Sequence, residues 1–195
     1  MSQTSTLVLA SSSVYRRELL GRLGIPFQWV RPDIDETPLD HELPEATAAR
    51  LAAAKAQAIA SLHPAALIIG SDQVASCDGL RLDKPGTHER AVAQLTWLSG
   101  KTASFDTALS LLDAAGGRIE TRVVGCRVTF RRSDSARIEA YLRREKPYDC
   151  AGSAKSEGLG IALISSIETT DPTSLVGLPL IALCEMLERF GVSTL

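Results

Sequence analysis

The chain has no apolar run of about 18 residues, the length that a membrane-spanning helix needs, so no spanning segment is expected. Paired cysteine motifs are also missing. Cys77, Cys126, Cys150 and Cys184 are scattered, and no histidine stands at a zinc-ligand spacing from them. That pattern suits free thiols in a reducing cytoplasm. Met1–Ser5 carries no basic side chain ahead of the apolar Leu7–Ala10, so the start reads as a first strand rather than a signal peptide. There is no repeat, low-complexity tract or linker. Charge of one sign is not in excess: 21 Lys and Arg stand against 23 Asp and Glu, a net −2. This argues against a surface built to coat nucleic acid or an anionic membrane, and leaves room for a small anionic ligand. His41, His63 and His88 fall in polar loops or at helix edges, so no Ser-His-Asp arrangement is credible.

What is present is ordinary for a globular protein. The 195 residues are 45% hydrophobic, and a chain of this length buries roughly 70% of its unfolded surface. One domain spanning 1–195 is expected, with two lobes around a shared cleft. Strands are read at Leu7–Ser11, Phe27–Val30, Leu67–Ser76, Ser104–Leu112, Arg118–Phe130 and Ile161–Ile164. Helices are read at Val14–Leu23, closed by Gly24, and at Pro44–Leu62, Thr87–Leu98 and Ser135–Arg144. A last helix is expected to open at Asp171-Pro172. The early alternation of strand and helix, with a Gly116-Gly117 hairpin in the middle, indicates an α/β fold with a mixed sheet.

Several residues break the bland pattern. Ser11-Ser12-Ser13 ends a strand and begins a helix, where hydroxyls and free N–H groups converge as a phosphate cradle. Arg16 and Arg17 sit in that helix's first turn, against its dipole. The segment is either a capped helix with exposed arginines or an anion site. Lys55 shares a helix face with Leu51 and Ile59, so it must snorkel, pair with an acid or face a ligand. Asp72 follows the apolar Leu67–Ile69 and is read at a strand's carboxyl end, as an Asx-turn or as ligand chemistry. Asp35-Glu36, between Pro32 and Pro38, is either a solvated acidic loop or a donor set for a hard divalent cation. Lys84-Pro85 is a cation on a restricted backbone. The glycine-rich Gly152–Gly160 loop fits neither the dinucleotide nor the P-loop pattern. Together these residues favour phosphoanhydride chemistry with a metal over acyl transfer.

The block Leu9-Ala10-Ser11-Ser12-Ser13-Val14-Tyr15-Arg16-Arg17-Glu18-Leu19-Leu20 resembles the N-terminal signature of the Maf family of nucleoside triphosphate pyrophosphatases. Later blocks agree in order: Asp35-Glu36-Thr37, Ala54-Lys55-Ala56, Ile69-Gly70-Ser71-Asp72-Gln73-Val74, Lys84-Pro85, Ala151-Gly152-Ser153, Glu157-Gly158-Leu159-Gly160-Ile161 and Asp171–Pro179. The resemblance implies a two-lobed α/β fold with a central cleft, similar to inosine triphosphate pyrophosphatase-like folds. It implies hydrolysis of the α–β phosphoanhydride of a nucleoside triphosphate with Mg²⁺, Mn²⁺ or Co²⁺, as a house-cleaning step in the cytoplasm, by a chain that is commonly a homodimer. By motif position, Asp72 matches the proton acceptor. Ser11, Arg16, Arg17, Lys55 and Lys84 match phosphate-site residues, and Glu36 with Asp72 matches the metal site. Tyr15, Gln73 and Glu157 stand at the specificity positions and resemble the 7-methyl-GTP branch, with tyrosine where tryptophan is usual. An aromatic face suits the cationic methylated base. A pyrophosphatase for pyrimidine triphosphates such as dTTP or UTP or for other modified triphosphates, or a non-catalytic nucleotide-sensing regulator, are the alternatives.

Overall fold

The computed structural model describes residues 6–195; Met1–Ser5, read above for their lack of basic side chains, lie outside the described residues. Seven strands and five helices follow in the order β1 (Leu7–Ala10), α1 (Val14–Gly21), β2 (Phe27–Val30), α2 (Pro44–Ala58), β3 (Leu67–Cys77), β4 (Leu80–Leu82), α3 (His88–Leu98), β5 (Thr102–Asp113), β6 (Ile119–Phe130), α4 (Ser135–Glu145), β7 (Ile164–Thr169) and α5 (Leu180–Arg189). Strand order is β2-β1-β3-β5-β6-β7, with β4 on β3. The sheet is mixed, as expected: β1 runs parallel to β2 and β3, whereas β4 and β7 run antiparallel to β3 and β6. No helix among the described residues is long and apolar enough to cross a membrane.

The chain divides into two compact units. The first holds residues 6–73, Thr107–Val124 and Asp171–Leu195. Its strand β1 is buried at all four positions, so it must be covered on both faces. Alternation sorts the two coverings. Leu7, Leu9, Leu67, Ile69, Leu109 and Leu111 pack with Leu19 and Leu20 of α1 and with Leu183, Met186 and Leu187 of α5. Val8, Ala10 and Ile68 pack the other way, with Ala56 of α2 and with Ile59. The alanine-rich composition of α2 then has a reason. Small side chains let its backbone approach β3, and a Cβ built on Gly70 would lie 2.0 Å from the Ala52 carbonyl oxygen.

The second unit holds Val74–Asp106 and Gly125–Thr170. Here Ala91, Leu95 and Leu98 of α3 and Ile138, Tyr141 and Leu142 of α4 are buried. Thr87 caps α3 by accepting from Arg90 N, and Asp134 caps α4 through Arg137 N at 2.8 Å. All four cysteines are free.

Several boundaries differ from expectation. Helix α1 stops at Gly21, and α2 stops at Ala58, followed by a 3₁₀ turn at Ala60–Leu62. The strand expected at Ile161–Ile164 is instead a 3₁₀ turn over Leu159–Leu163, and β7 begins at Ile164. The turn is dictated locally: Gly160 N donates to Lys155 O at 3.0 Å, and a Cβ there would meet the Lys155 backbone at 2.5 Å. Strand β7 is selected by antiparallel pairing with β6, from Cys126 opposite Thr169 to Phe130 opposite Ile164. Strand β4 was not anticipated. It is a three-residue edge selected by its pairing with Ala75–Cys77.

The last helix does not open at Asp171-Pro172; α5 begins at Leu180. Gly177, at φ +119°, and Pro179 interrupt any continuous helix between the two. Asp171 still does a cap's work from a distance. Its Oδ2 accepts from Ile181 N at 2.7 Å and Ala182 N at 3.2 Å, while Oδ1 accepts from Thr173 N and Thr173 Oγ1. A buried carboxylate on free helix-start donors satisfies groups that would otherwise be orphaned, and complements the helix dipole.

Candidate functional site

Strand β3 builds the site by alternation. Ile68, Gly70 and Asp72 share the face that meets α2, and Ser71 and Gln73 point to the opposite face. Asp72, read as lying at a strand's carboxyl end, stands inside β3, which ends at Cys77, one residue beyond the strand read from sequence. What ends near Asp72 is the partner: β1 pairs with β3 only as far as Ala10 opposite Gly70. Asp72 therefore emerges just beyond the parallel pair, inside a longer strand.

On the α2 face, Asp72 is 7% exposed and Lys55 only 5%. Lys55 does not snorkel. Its Nζ donates to Asp72 Oδ1 at 2.6 Å and lies 2.9 Å from Glu36 Oε1. One ammonium thus holds two carboxylates, one buried and one, Glu36, on an exposed loop. A buried charge needs such partners, since an isolated one costs several kcal/mol. Arg16 lies in the same field. Burial pulls its guanidinium below the ordinary value, and the Asp72 and Glu36 carboxylates pull it back up.

The opposite face is a lattice of donors around the 174–177 turn, one of them the Arg16 guanidinium. Arg16 Nε donates to the Gly177 carbonyl at 2.8 Å, and Ser71 Oγ donates to the same oxygen at 2.9 Å. Gln73 Nε2 reaches Thr107 Oγ1 at 2.9 Å and the carbonyls of Ser174 and Leu175 at 3.0 and 3.1 Å. Carbonyls only accept, so the amide nitrogen must face them and the Gln73 carbonyl oxygen is turned the other way as an acceptor.

The three serines stand at the start of α1. Ser13 is the α1 N-cap, accepting from Arg16 N at 3.4 Å. Ser11 is buried and accepts from Ser13 N at 3.1 Å, and Ser12 is exposed. Tyr15 is half-buried on the first turn. Arg17 goes elsewhere than the carboxylates: its guanidinium stacks on the Trp29 indole, 4.2 Å from the centroid, and its Nε is buried without a partner among the described residues.

Ser11, Tyr15, Arg16, Glu36, Lys55, Asp72 and Gln73 all belong to the first unit. Lys84 and Glu157 belong to the second, and both are exposed. Lys84 precedes Pro85 in the loop between β4 and α3. Glu157 occupies a turn stiffened by Gly158 N to Lys155 O at 3.1 Å and by Leu159 N to Glu145 Oε2 at 2.7 Å. Ser71, Thr107, Ser174 and Gly177 had no assigned part in the sequence reading. Gly177 and Ser174 lie in the Asp171–Pro179 block, and the signal that could have marked them was a Gly-X-Pro break ahead of an amphipathic run.

The donor chemistry suits a hard cation in one specific way. Among the described residues no group of three or more His, Cys, Asp or Glu is poised to hold a metal. Two carboxylates, Glu36 and Asp72, do converge on a single cationic centre, the Lys55 ammonium. Mg²⁺ commonly takes one or two protein carboxylates and completes its shell with water and phosphate. The set therefore fits a divalent ion shared with a phosphate chain, and does not fit an all-protein cage.

Residues 6–190 match the model of the family described as Maf-like protein. The chain is 60% identical over 185 residues to a "7-methyl-GTP pyrophosphatase" of Cupriavidus pinatubonensis, covering 95% of this chain and 93% of that protein. It is 56% identical over 196 residues to one of Thiobacillus denitrificans, covering 100% and 98%. A Polaromonas protein of the same name is 57% identical over 187 residues, covering 96% of this chain and 85% of its own length.

Proposed function

Because the chain belongs to the Maf family, we propose that it is a nucleoside triphosphate pyrophosphatase, a metal-dependent hydrolase that releases a monophosphate and pyrophosphate, with 7-methyl-GTP as substrate. The observation that carries the reading is the buried Asp72 carboxylate, held by Lys55 at 2.6 Å in the field of Arg16. Asp72 orients a water for in-line attack on the α-phosphorus and accepts its proton. Lys55 fixes that carboxylate's direction, and Arg16 sets a cation against the phosphate oxygens. Ser11 and the first-turn N–H groups of α1 add neutral donors. A Mg²⁺, Mn²⁺ or Co²⁺ ion held by Glu36 and Asp72 would supply charge neutralisation on the phosphates and the leaving pyrophosphate.

The base is read by Tyr15, Gln73 and Glu157. Tyr15 offers an aromatic face to the cationic ring of the methylated guanine. Gln73 offers its carbonyl to a base donor, and Glu157 offers a carboxylate to the positive ring. Motif position carries the roles of Lys84, Arg17 and Glu157. In this reading the nucleotide is the partner in the cytoplasm, and self-association into a homodimer would show in sedimentation.

The test is pyrophosphate release over a nucleotide panel with Mg²⁺, Mn²⁺ and Co²⁺. Turnover on the order of 1 s⁻¹ or more is ordinary for an enzyme. Asp72→Asn is expected to abolish it in a folded variant, and wild-type rates there would remove Asp72 as the base. Tight binding without release would make the protein a nucleotide sensor. Tyr15→Arg, Gln73→Thr and Glu157→Gln together are expected to move preference towards UTP and dTTP, and unmoved selectivity would refute the three-residue reading.

A further inference from the structure

Glu36 poses a problem of position. Its side chain is 58% exposed, and it lies in a stretch, residues 31–39, with no regular secondary structure. Yet its Oε1 sits 2.9 Å from the buried Lys55 ammonium. An exposed carboxylate on an irregular loop gains little from one ion pair unless something else orders the loop.

The ordering groups lie on α2 and in the loop itself. Arg50 of α2 places Nε on Glu42 Oε1 and Nη2 on Glu42 Oε2, each at 2.7 Å. The same Nη2 reaches the Thr37 carbonyl, next in sequence to Glu36, at 3.2 Å. Glu42 Oε2 also accepts from Leu39 N at 3.2 Å and Thr47 Oγ1 at 2.9 Å. Asp35 Oδ1 accepts from Thr37 N at 2.9 Å, which tightens the turn around Glu36 itself. Glu42 is 11% exposed, and the Arg50 fork holds its carboxyl down to about 2.

We propose that Arg50, acting through Glu42 and the Thr37 carbonyl, is the positioning residue that delivers Glu36 to Lys55 and Asp72. Arg50 and Lys55 lie on one helix, so a single rigid element carries both the anchor of the loop and the cation its carboxylate must meet. The planar guanidinium fork is what the task requires. It engages two carboxylate oxygens through two separate nitrogens and a backbone carbonyl besides, a fork that the single nitrogen of a lysine lacks. Neither Arg50 nor Glu42 touches the reacting atoms in this scheme. The activity arm of the test rests on the proposed pyrophosphatase reading, and the exchange arm does not.

The experiment uses the full chain, with Arg50→Ala, Arg50→Lys, Glu42→Gln, Glu36→Gln and the double variant Arg50→Ala/Glu36→Gln. Amide hydrogen exchange of the 35–43 segment is measured on protein alone. Pyrophosphate release is measured against Mn²⁺ concentration with 7-methyl-GTP. Arg50→Ala and Glu42→Gln are expected to speed exchange of this segment about tenfold while the β1 amides stay protected. Loss of such a supporting partner is expected to cost about 10- to 100-fold in the Mn²⁺ activation constant or kcat. Arg50→Lys should fall between Arg50→Ala and wild type. The double variant should be no worse than Glu36→Gln, because the anchor has nothing left to deliver. Unchanged exchange in both Arg50→Ala and Glu42→Gln, or losses that multiply in the double variant, would overturn the proposal. If the wild type hydrolyses no triphosphate, the functional reading falls, and the exchange result still decides the positioning role.

Discussion

Gly70→Ala tests the architecture of the site with one methyl group. The added Cβ would lie 2.0 Å from Ala52 O, 2.9 Å from Ala56 N and 3.1 Å from Ala52 C, all backbone atoms of α2. No rotamer relieves a clash with backbone. Ordinary contacts of this kind sit at about 3.5 Å, so α2 must retreat by roughly 1.5 Å or β3 must bend. Lys55 is three residues from Ala52 and next to Ala56, so the retreat carries its ammonium with it. A 2.6 Å bond to Asp72 would open beyond hydrogen-bond range. Overpacking of this sort costs about 1–3 kcal/mol or more, and a displacement near 1 Å costs about 100-fold in turnover. Urea unfolding and pyrophosphate release of the purified variant read the two effects separately. The matched control is Gly21→Ala: Gly21 closes α1, has open space around it and needs no left-handed backbone. That change is expected to be neutral or to stabilise by about 0.4–1 kcal/mol. A Gly70→Ala protein as stable as wild type within about 0.5 kcal/mol, and as active, would refute the close-approach argument.

Other consequences follow from the same contacts. Lys55→Met leaves the buried Asp72 without its partner and is expected to lower unfolding free energy by about 3–5 kcal/mol; Lys55→Met/Asp72→Asn should recover part of that loss in urea. Asp171→Ala strips acceptors from the α5 start and from Thr173. A cost of about 2–4 kcal/mol is expected from the lost cap and unpaired donors, read as a lowered urea midpoint. Glu42 has a folded pKa of about 2 against an ordinary 4.5, because of Arg50. Its contribution to stability is therefore complete above pH 4.5 and lost as pH falls through about 2. Carboxyl-carbon NMR should find this low titration, and Arg50→Ala should return it towards 4.5.

Local signals carried far in this chain. The apolar run at Leu67–Ile69, the Thr87 cap with Glu89 behind it, and the paired glycines at Gly116-Gly117 each specify nearby backbone, and each element stands where those signals put it to within a residue or two. The same local chemistry marked Lys55 as a cation on a buried stripe and Asp72 as a carboxylate out of place in an apolar strand. Elements set by distant partners were not legible. Strand β4 exists through its pairing with β3, β7 starts where β6 allows, and α5 is capped by a residue ten positions ahead of Ile181.

By itself, then, the sequence marked Lys55 and Asp72 as charges out of place, with snorkelling or a partner open for the first and an Asx-turn or ligand chemistry for the second. The tertiary structure decided that they are each other's partners. The physical reason is the absent side chain at Gly70, which lets α2 close onto the face of β3 that bears Asp72. Arg17 makes the converse point. Its place in the first turn says nothing of Trp29, and it is β2, lying parallel to β1, that brings the indole beneath its guanidinium. Charge and spacing along the chain say which groups must be satisfied, and only the packing of helix on strand says by which neighbour.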